Sequence, residues 1–307
     1  MAVRIRLLGE VGVQVDGRPV ELGPAKQRCV LAALAVDAPR LVSGDRLVAR
    51  VWGADPPRRG RETLYSYISR LRQALSDTDA VEVVSRSGGY ALVVDEPARV
   101  VDLHGFRDLC ARARGQSDDP QAARLLAEAL ELWHEQALTG VSSEWVEAER
   151  DRLEQERAAA RHDLVDARLR LGQGGNLVGE LAAWAAAHPL DERVAGHYML
   201  ALQQTGRIAD ALAHYRTLRE RLVEELGTDP GAALRDLHGR ILAAESTTPA
   251  PEATAPVVLH QLPAAPVLFT GRTAELAELD RVLSLTRGTA AVAMISAIAG
   301  TGGVGKT

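Results

Sequence analysis

Apolar and polar positions divide the chain into a short β-patterned opening, a mixed region and a long helical stretch. Apolar runs at residues 3–8, 11–15 and 20–22 are brief, and Asp16-Gly17 supplies turn chemistry between the last two. Such runs predict a small antiparallel sheet. A helix over 26–36 turns Val30, Leu31, Leu34 and Ala35 inward and stops at Asp37-Ala38-Pro39. Ser43 is placed to N-cap a second helix, 44–52, with Leu47, Val48, Val51 and Trp52 on its buried face. Further on, Leu64, Ile68, Leu71 and Leu75 recur at helical spacing. Two apolar runs then flank Arg86-Ser87-Gly88-Gly89, whose glycines permit the positive φ of a hairpin turn. From 101 to about 244 the whole chain reads as helical. Leu103, Phe106 and Leu109 begin this stretch, followed by segments 122–133, 145–171, 177–187, 192–204, 208–223 and 232–244.

The helix carrying Leu64 and Ile68 has an unusual outer face. Thr63, Ser66, Tyr67, Ser69, Arg70 and Gln73 offer hydroxyls, an amide and a guanidinium, the groups that hydrogen-bond base edges in a major groove. Arg58, Arg59 and Arg61 stand at its start, Arg72 lies to one side, and Arg86 sits at the hairpin turn. Two readings apply to such a face, a solvated surface helix or a helix that reads DNA. The flanking arginines and the following hairpin favour the second. Arg70 is then expected at a base, with Arg72 and Arg86 at phosphates. The arginines of loop 54–59 either contact phosphates or join Asp55 and the two prolines in a surface for a protein partner.

Net charge is −5, which by itself argues against a nucleic-acid partner. Its distribution reverses the argument: residues 1–94 hold 14 Lys+Arg and 10 Asp+Glu, whereas the remainder holds 22 and 31. The positive excess coincides with the helix–hairpin region, where phosphate binding needs it. The acidic remainder suits a regulatory or partner-binding domain. Aromatic residues are only 4% of the chain, so its cores must be built mainly from Ala, Leu and Val. Cys29 and Cys110 read as small core residues of a reduced protein. His104, His134, His162 and His188 are dispersed without metal-ligand spacing, so no metal site is expected. No leader opens the chain and no apolar run reaches a membrane span, which places the protein in the cytoplasm as an expectation.

The order of three strands, two helices, a loop, a basic helix and a hairpin carries the blocks LGPAKQRCVLAALA, VSGDRLVARVWG, PPRRGRETLYSYISRLRQAL and SRSGGYALVV. Together they resemble the OmpR-type winged helix, and more closely the N-terminal domain of the SARP family of actinobacterial antibiotic-pathway activators. No phospho-acceptor receiver domain precedes these blocks, so control is expected from the C-terminal side. In LALQQTGRIADALAHYRTL, Gly206, Ala211 and Tyr215 have the spacing of a tetratricopeptide helical hairpin. The region is similar to the bacterial transcriptional activator domain that follows the winged helix in SARP proteins. A plain helical bundle is the alternative.

Residues 245–266, rich in Pro, Ala and Thr, read as a linker. Beyond them, an apolar run at 290–298 leads into Gly300-Thr-Gly-Gly-Val-Gly305-Lys306-Thr307. This is a G-x-x-x-x-G-K-T phosphate loop, in which backbone N–H groups cradle phosphate, Lys306 neutralises it and Thr307 meets Mg²⁺. The block resembles the start of the signalling ATPase domain of large SARP regulators. Its helix, magnesium carboxylate and remaining sheet are not in the sequence, so ATP and Mg²⁺ are expected as cofactors only of a complete domain.

The resulting expectation is a mainly α chain: a winged helix (1–94), an all-α tetratricopeptide-like domain (100–244), a linker (245–266) and a partial ATPase domain (267–307). It is read as a non-enzymatic activator. By the resemblance, it binds promoter DNA side by side with a second protomer and recruits RNA polymerase holoenzyme with its sigma factor. A Ser/Thr kinase is a further partner the resemblance implies. Two other classes remain open: an ATP-dependent signalling ATPase with DNA-binding output, and a tetratricopeptide-type scaffold.

Overall fold

The computed structural model describes residues 2–76, 78 and 80–247, together with Ala274 and Ala277. Residues 2–247 belong to one compact unit. The linker and phosphate-loop expectations fall outside the described residues, apart from the start of the linker at the end of the last helix.

The opening sheet is antiparallel, β1 (Val3–Arg6), β2 (Gly12–Val15) and β3 (Arg18–Pro19), in that order. Asp16 (φ +46°) and Gly17 (φ +78°) both occupy the left-handed region, so the turn uses only two residues. The third strand therefore begins at Arg18, opposite Val15, and not at Val20 as the apolar run predicts. Leu22 still reaches the core, from a loop.

Helix α1 (Ala25–Asp37) is buried on all sides from Cys29 to Val36, beyond the one face its spacing predicts. Short strand β4 (Val42–Ser43) leads into α2 (Gly44–Trp52), whose N-terminus is capped as expected, Ser43 accepting from the Arg46 N–H at 3.2 Å. Next comes α3 (Gly60–Ala74), with Leu64, Ile68, Leu71 and Leu75 all buried. The hairpin is β5 (Val81–Arg86) and β6 (Gly89–Val94). It joins β4 in a second sheet, ordered β4-β6-β5, in which Val42 pairs with Tyr90. Gly88 turns the hairpin (φ +95°), but Gly89 serves another purpose. A Cβ there would collide with the Val42 carbonyl, so its lack of a side chain is what lets β4 approach.

The helical region contains α4 (Pro97–Val100), α5 (Asp102–Arg114), α6 (Asp119–Glu131), α7 (Glu144–Arg170), α8 (Gly174–Ala187), α9 (Glu192–Gln204), α10 (Ile208–Leu226) and α11 (Ala232–Thr247). α8 packs on α9, α9 on α10, and α11 against both α9 and α10. Gly206 turns between α9 and α10 (φ +75°), and Ala211 and Tyr215 are buried behind it. His197 of α9 meets Asp166 of α7 at 2.7 Å. Burial raises the Asp166 carboxyl, but hydrogen bonds from His197 and Arg193 outweigh it and hold the group down at about 2.

One stretch departs from the all-helical expectation. Residues 132–143 are largely extended or turned, with Leu138 (φ +58°) and Gly140 (φ +83°) in the left-handed region. They run beside the β1–β2 loop: the Leu138 N–H donates to Leu7 O at 2.8 Å, Thr139 to Gly9 O at 2.9 Å, and Val11 to Thr139 O at 3.0 Å. Ile5 also forms a parallel bridge with Val101. As a result, a single hydrophobic cluster runs without interruption from Val3 to Ala167. The winged-helix portion and the first helical layer share a core, a continuity that the division at residues 94 and 100 does not anticipate. Cys29 and Cys110 are both free and buried in it. Burial pushes both thiols up, Cys110 to about 11.

Candidate nucleic-acid interface

α3 projects from this core because its four large apolar residues all point one way. The residues left outside form a stripe of Arg61, Glu62, Tyr65, Ser66, Ser69, Arg70 and Gln73, all exposed. The stripe differs in part from the face expected from spacing. Thr63 and Tyr67, four residues apart, lie half-buried on the flank toward α2. Thr63 Oγ1 donates back to Arg59 O at 3.0 Å. The Tyr67 ring stacks on Trp52, with centroids 6.1 Å apart and planes inclined by 12°. The aromatic side chain on the open face is Tyr65 instead, 65% exposed. Its position one residue past Leu64 could have marked it, since the outer face of a 3.6-residue helix includes it.

The six arginines fall into two groups. Arg58, at the start of α3, Arg70, in the middle of its open face, and Arg86, at the end of β5, have no side-chain partner among the described residues. The other three are engaged. Arg59 pairs with Glu62 at 3.6 Å, and Arg61 Nε donates to Asp45 at 2.9 Å, all four side chains being well exposed. Exposed pairs of this kind contribute only about 0–1 kcal/mol, so an arriving phosphate can displace either carboxylate. Arg72 differs. Its Nε donates to Val83 O at 2.7 Å and its Nη2 to Ser85 Oγ at 2.8 Å, which fastens α3 to the hairpin. The structure thus gives Arg72 a bracing role where a phosphate contact is expected.

Ser66 donates its hydroxyl hydrogen to Glu62 O at 3.1 Å, which leaves its oxygen lone pairs as acceptors facing outward. A cleft between α2, α3 and the hairpin is lined by Ser43, Asp45, Arg61, Ser85, Arg86 and Tyr90. Its cationic walls are Arg61 and Arg86, one from the helix and one from the hairpin. Among the described residues, no cluster of His, Cys, Asp or Glu could hold a metal ion, and no helix is long and apolar enough to cross a membrane. Gly300, Gly305, Lys306 and Thr307 lie outside the described residues.

A core-anchored helix and adjoining hairpin, fused to a layer of helices, define a winged-helix transcriptional regulator. Residues 17–92 match the family described as transcriptional regulatory protein, C terminal, and residues 101–242 the bacterial transcriptional activator domain. The chain is 40% identical to the regulatory protein AfsR of Streptomyces coelicolor over its whole length, and 33% identical to the regulatory protein DnrI of Streptomyces peucetius, covering 79% of this chain and 93% of DnrI. A solved structure of Mycobacterium tuberculosis EmbR in complex with a low-affinity phosphopeptide matches with a TM-score of 0.73 at 30% identity, over 79% of this chain and 65% of that one. The chain belongs to the SARP family of transcriptional activators. It spans 32% of the length of AfsR from Streptomyces coelicolor or from Streptomyces griseus.

Proposed function

We propose that the chain binds promoter DNA with α3 in the major groove and the β5–β6 hairpin against the adjoining backbone. The observation that supports this reading is the row of unpartnered guanidiniums, Arg58, Arg70 and Arg86, running from the start of α3 to the hairpin across a stripe of groove-sized polar side chains. In it, Arg70, Tyr65, Ser66, Ser69 and Gln73 meet base edges, where a guanidinium reads guanine and an apolar ring edge meets a thymine methyl. Arg58, Arg59, Arg61 and Arg86 hold phosphates. Thr63, Tyr67 and Arg72 keep the helix seated.

Two protomers then occupy direct repeats side by side and recruit RNA polymerase holoenzyme with its sigma factor, in the control of secondary metabolism. The activity is regulatory, not enzymatic, and cytoplasmic. Nucleotide binding at Lys306 and Thr307, with Mg²⁺, and modification by a Ser/Thr kinase belong to the same reading of a longer protein. EmbR was solved with a phosphopeptide, which is the kind of ligand such a kinase would generate.

Footprinting on genomic fragments, followed by titration of the protected site at several salt concentrations, tests the reading. Protection of repeated sequences with affinity falling steeply in salt is the expected result. Absence of salt-dependent binding to any fragment overturns it.

A further inference from the structure

A second arginine-rich feature lies away from α3. On α2, Val48 and Trp52 serve the α3 side, where Trp52 stacks on Tyr67, whereas Arg46 and Arg50, one turn apart, line a different cleft. That cleft is closed on one side by residues 36–40, the end of α1 and the turn that follows it, and on the other by α5 and α7, so both halves of the shared-core unit contribute to it. Arg40, Arg46, Arg50, His104, Arg107 and Arg152 all line it, beside Trp145.

Three of these arginines are neutralised in place. Arg50 meets Asp37 at 2.6 Å, Arg107 holds Glu156 through two bonds of 2.9 and 3.1 Å, and Arg152 pairs with Glu149 and Glu156. Arg40 and Arg46 are exposed and have no side-chain partner among the described residues. The cleft therefore keeps two uncompensated guanidiniums on a wall already stiffened by an ion-pair network. Arg40 and Arg46 carry no ion pair, so a ligand with two or more negative charges can meet both without displacing a carboxylate.

We propose that this cleft binds a small anion bearing a diphosphate group. Guanidinium forks match the paired oxygens of oxyanions, which a halide lacks, and a diphosphate carries enough charge and enough oxygens to meet both free forks at once. Half-buried Trp145, with the Arg50 guanidinium 5.0 Å from its ring centre, lines the same cleft and gives it an apolar surface for the organic portion of a nucleoside diphosphate. An occupant touches Arg40 and Arg46 on one side and α5 and α7 on the other, so it ties the DNA-facing portion to the helical layer. This inference goes beyond the DNA-binding reading and does not depend on it.

The test uses the full chain carrying Lys306→Ala, so that the phosphate loop does not contribute, and titrates inorganic pyrophosphate, ADP and sulfate by calorimetry at low salt. Saturable one-to-one binding of pyrophosphate is expected, at least tenfold tighter than sulfate, and weakened at least tenfold in Arg40→Ala/Arg46→Ala. Tighter binding of ADP than pyrophosphate supports a nucleoside diphosphate, and equal binding supports the bare diphosphate group. Both side chains are exposed and outside the ion-pair network, so the double variant keeps its fold, which an unchanged melting temperature without ligand verifies. The proposal is overturned if pyrophosphate does not bind, if sulfate binds as well, or if the double variant binds undiminished. Binding that requires an intact Lys306 assigns the ligand to the phosphate loop and also overturns it. So does a double variant that loses only DNA affinity and salt dependence, which would make the two arginines DNA contacts.

Discussion

Both oxygens of Asp102, the first residue of α5, accept the backbone N–H of Leu7 at 2.9 Å, across a sequence separation of 95 residues. The same carboxylate accepts from Leu8 at 3.1 Å and from Leu103 at 2.7 Å. It ties the end of the first strand to the start of the helical layer. Removing it in Asp102→Ala orphans buried N–H groups and should cost about 2–4 kcal/mol, read by urea unfolding. Burial drives the Asp102 carboxyl up to about 6, against the pull of its three N–H donors. A raised folded pKa means that the fold favours the protonated form. That contribution is fully present below about 3.8 and lost as pH rises through about 6. The stability difference between wild type and Asp102→Asn should therefore change between those values and stay level above them.

Arg50 is the corresponding bolt at α2. Its side chain is almost wholly buried, donates to Ala33 O at 2.8 Å, pairs with Asp37 at 2.6 Å and lies 5.0 Å from the centre of the Trp145 ring. Arg50→Ala removes the cation and leaves both acceptors without it, a loss of about 3–5 kcal/mol. Arg50→Lys should recover only part, because a lysine cannot fork to two acceptors. Denaturant midpoints of the two variants check the order.

Three arginine substitutions should separate by role. Arg70→Ala should cost about 1–3 kcal/mol in operator affinity and relax preference at one position, while Arg86→Ala weakens all sequences alike and lowers the salt slope by about one. Arg72→Ala should instead lower the melting temperature, since its two bonds hold the hairpin to α3. Titrations on operator and scrambled DNA, with a thermal melt of each variant, distinguish the three. An unchanged sequence preference in Arg70→Ala means that α3 docks differently.

Loop residues Ala54, Asp55, Pro56, Pro57, Arg58 and Arg59 are all exposed between α2 and α3. The prolines restrict it in both the bound and the free state, which suits a preformed contact surface. Asp55→Lys combined with Pro56→Ala should leave operator affinity within about twofold, since neither residue belongs to the α3 stripe. Transcription by purified polymerase should fall several-fold. A drop in transcription matched by a drop in binding would make the loop a phosphate clamp.

The residues proposed to meet DNA and their supporting core all precede residue 248, within one compact unit. A chain ending at Glu245 should therefore bind operator DNA as the full chain does, and Lys306→Ala should leave that affinity unchanged. Gel shifts of the three proteins on one fragment compare them directly. A weaker shift by the shortened chain would give the C-terminal part a share in DNA binding.

Local pattern alone determined much of this molecule. A serine before an amphipathic nine-residue run is enough to place α2, because capping and helical period act within one or two turns. The bounds of α9 and the buried row Leu64, Ile68, Leu71 and Leu75 follow for the same reason. What spacing could not resolve was set by segments distant in sequence. Trp52 of α2 draws Tyr67 out of the open face and leaves Tyr65 there. Val83 and Ser85 claim Arg72. The approach of β4 makes Gly89 a packing requirement where sequence suggests only a turn. Above all, Asp102 and residues 132–143 return to the β1–β2 loop and merge two domain-like patterns into one core. Hydrophobic period tells which side of an element is buried, but the partner that buries it is chosen only when the whole chain packs.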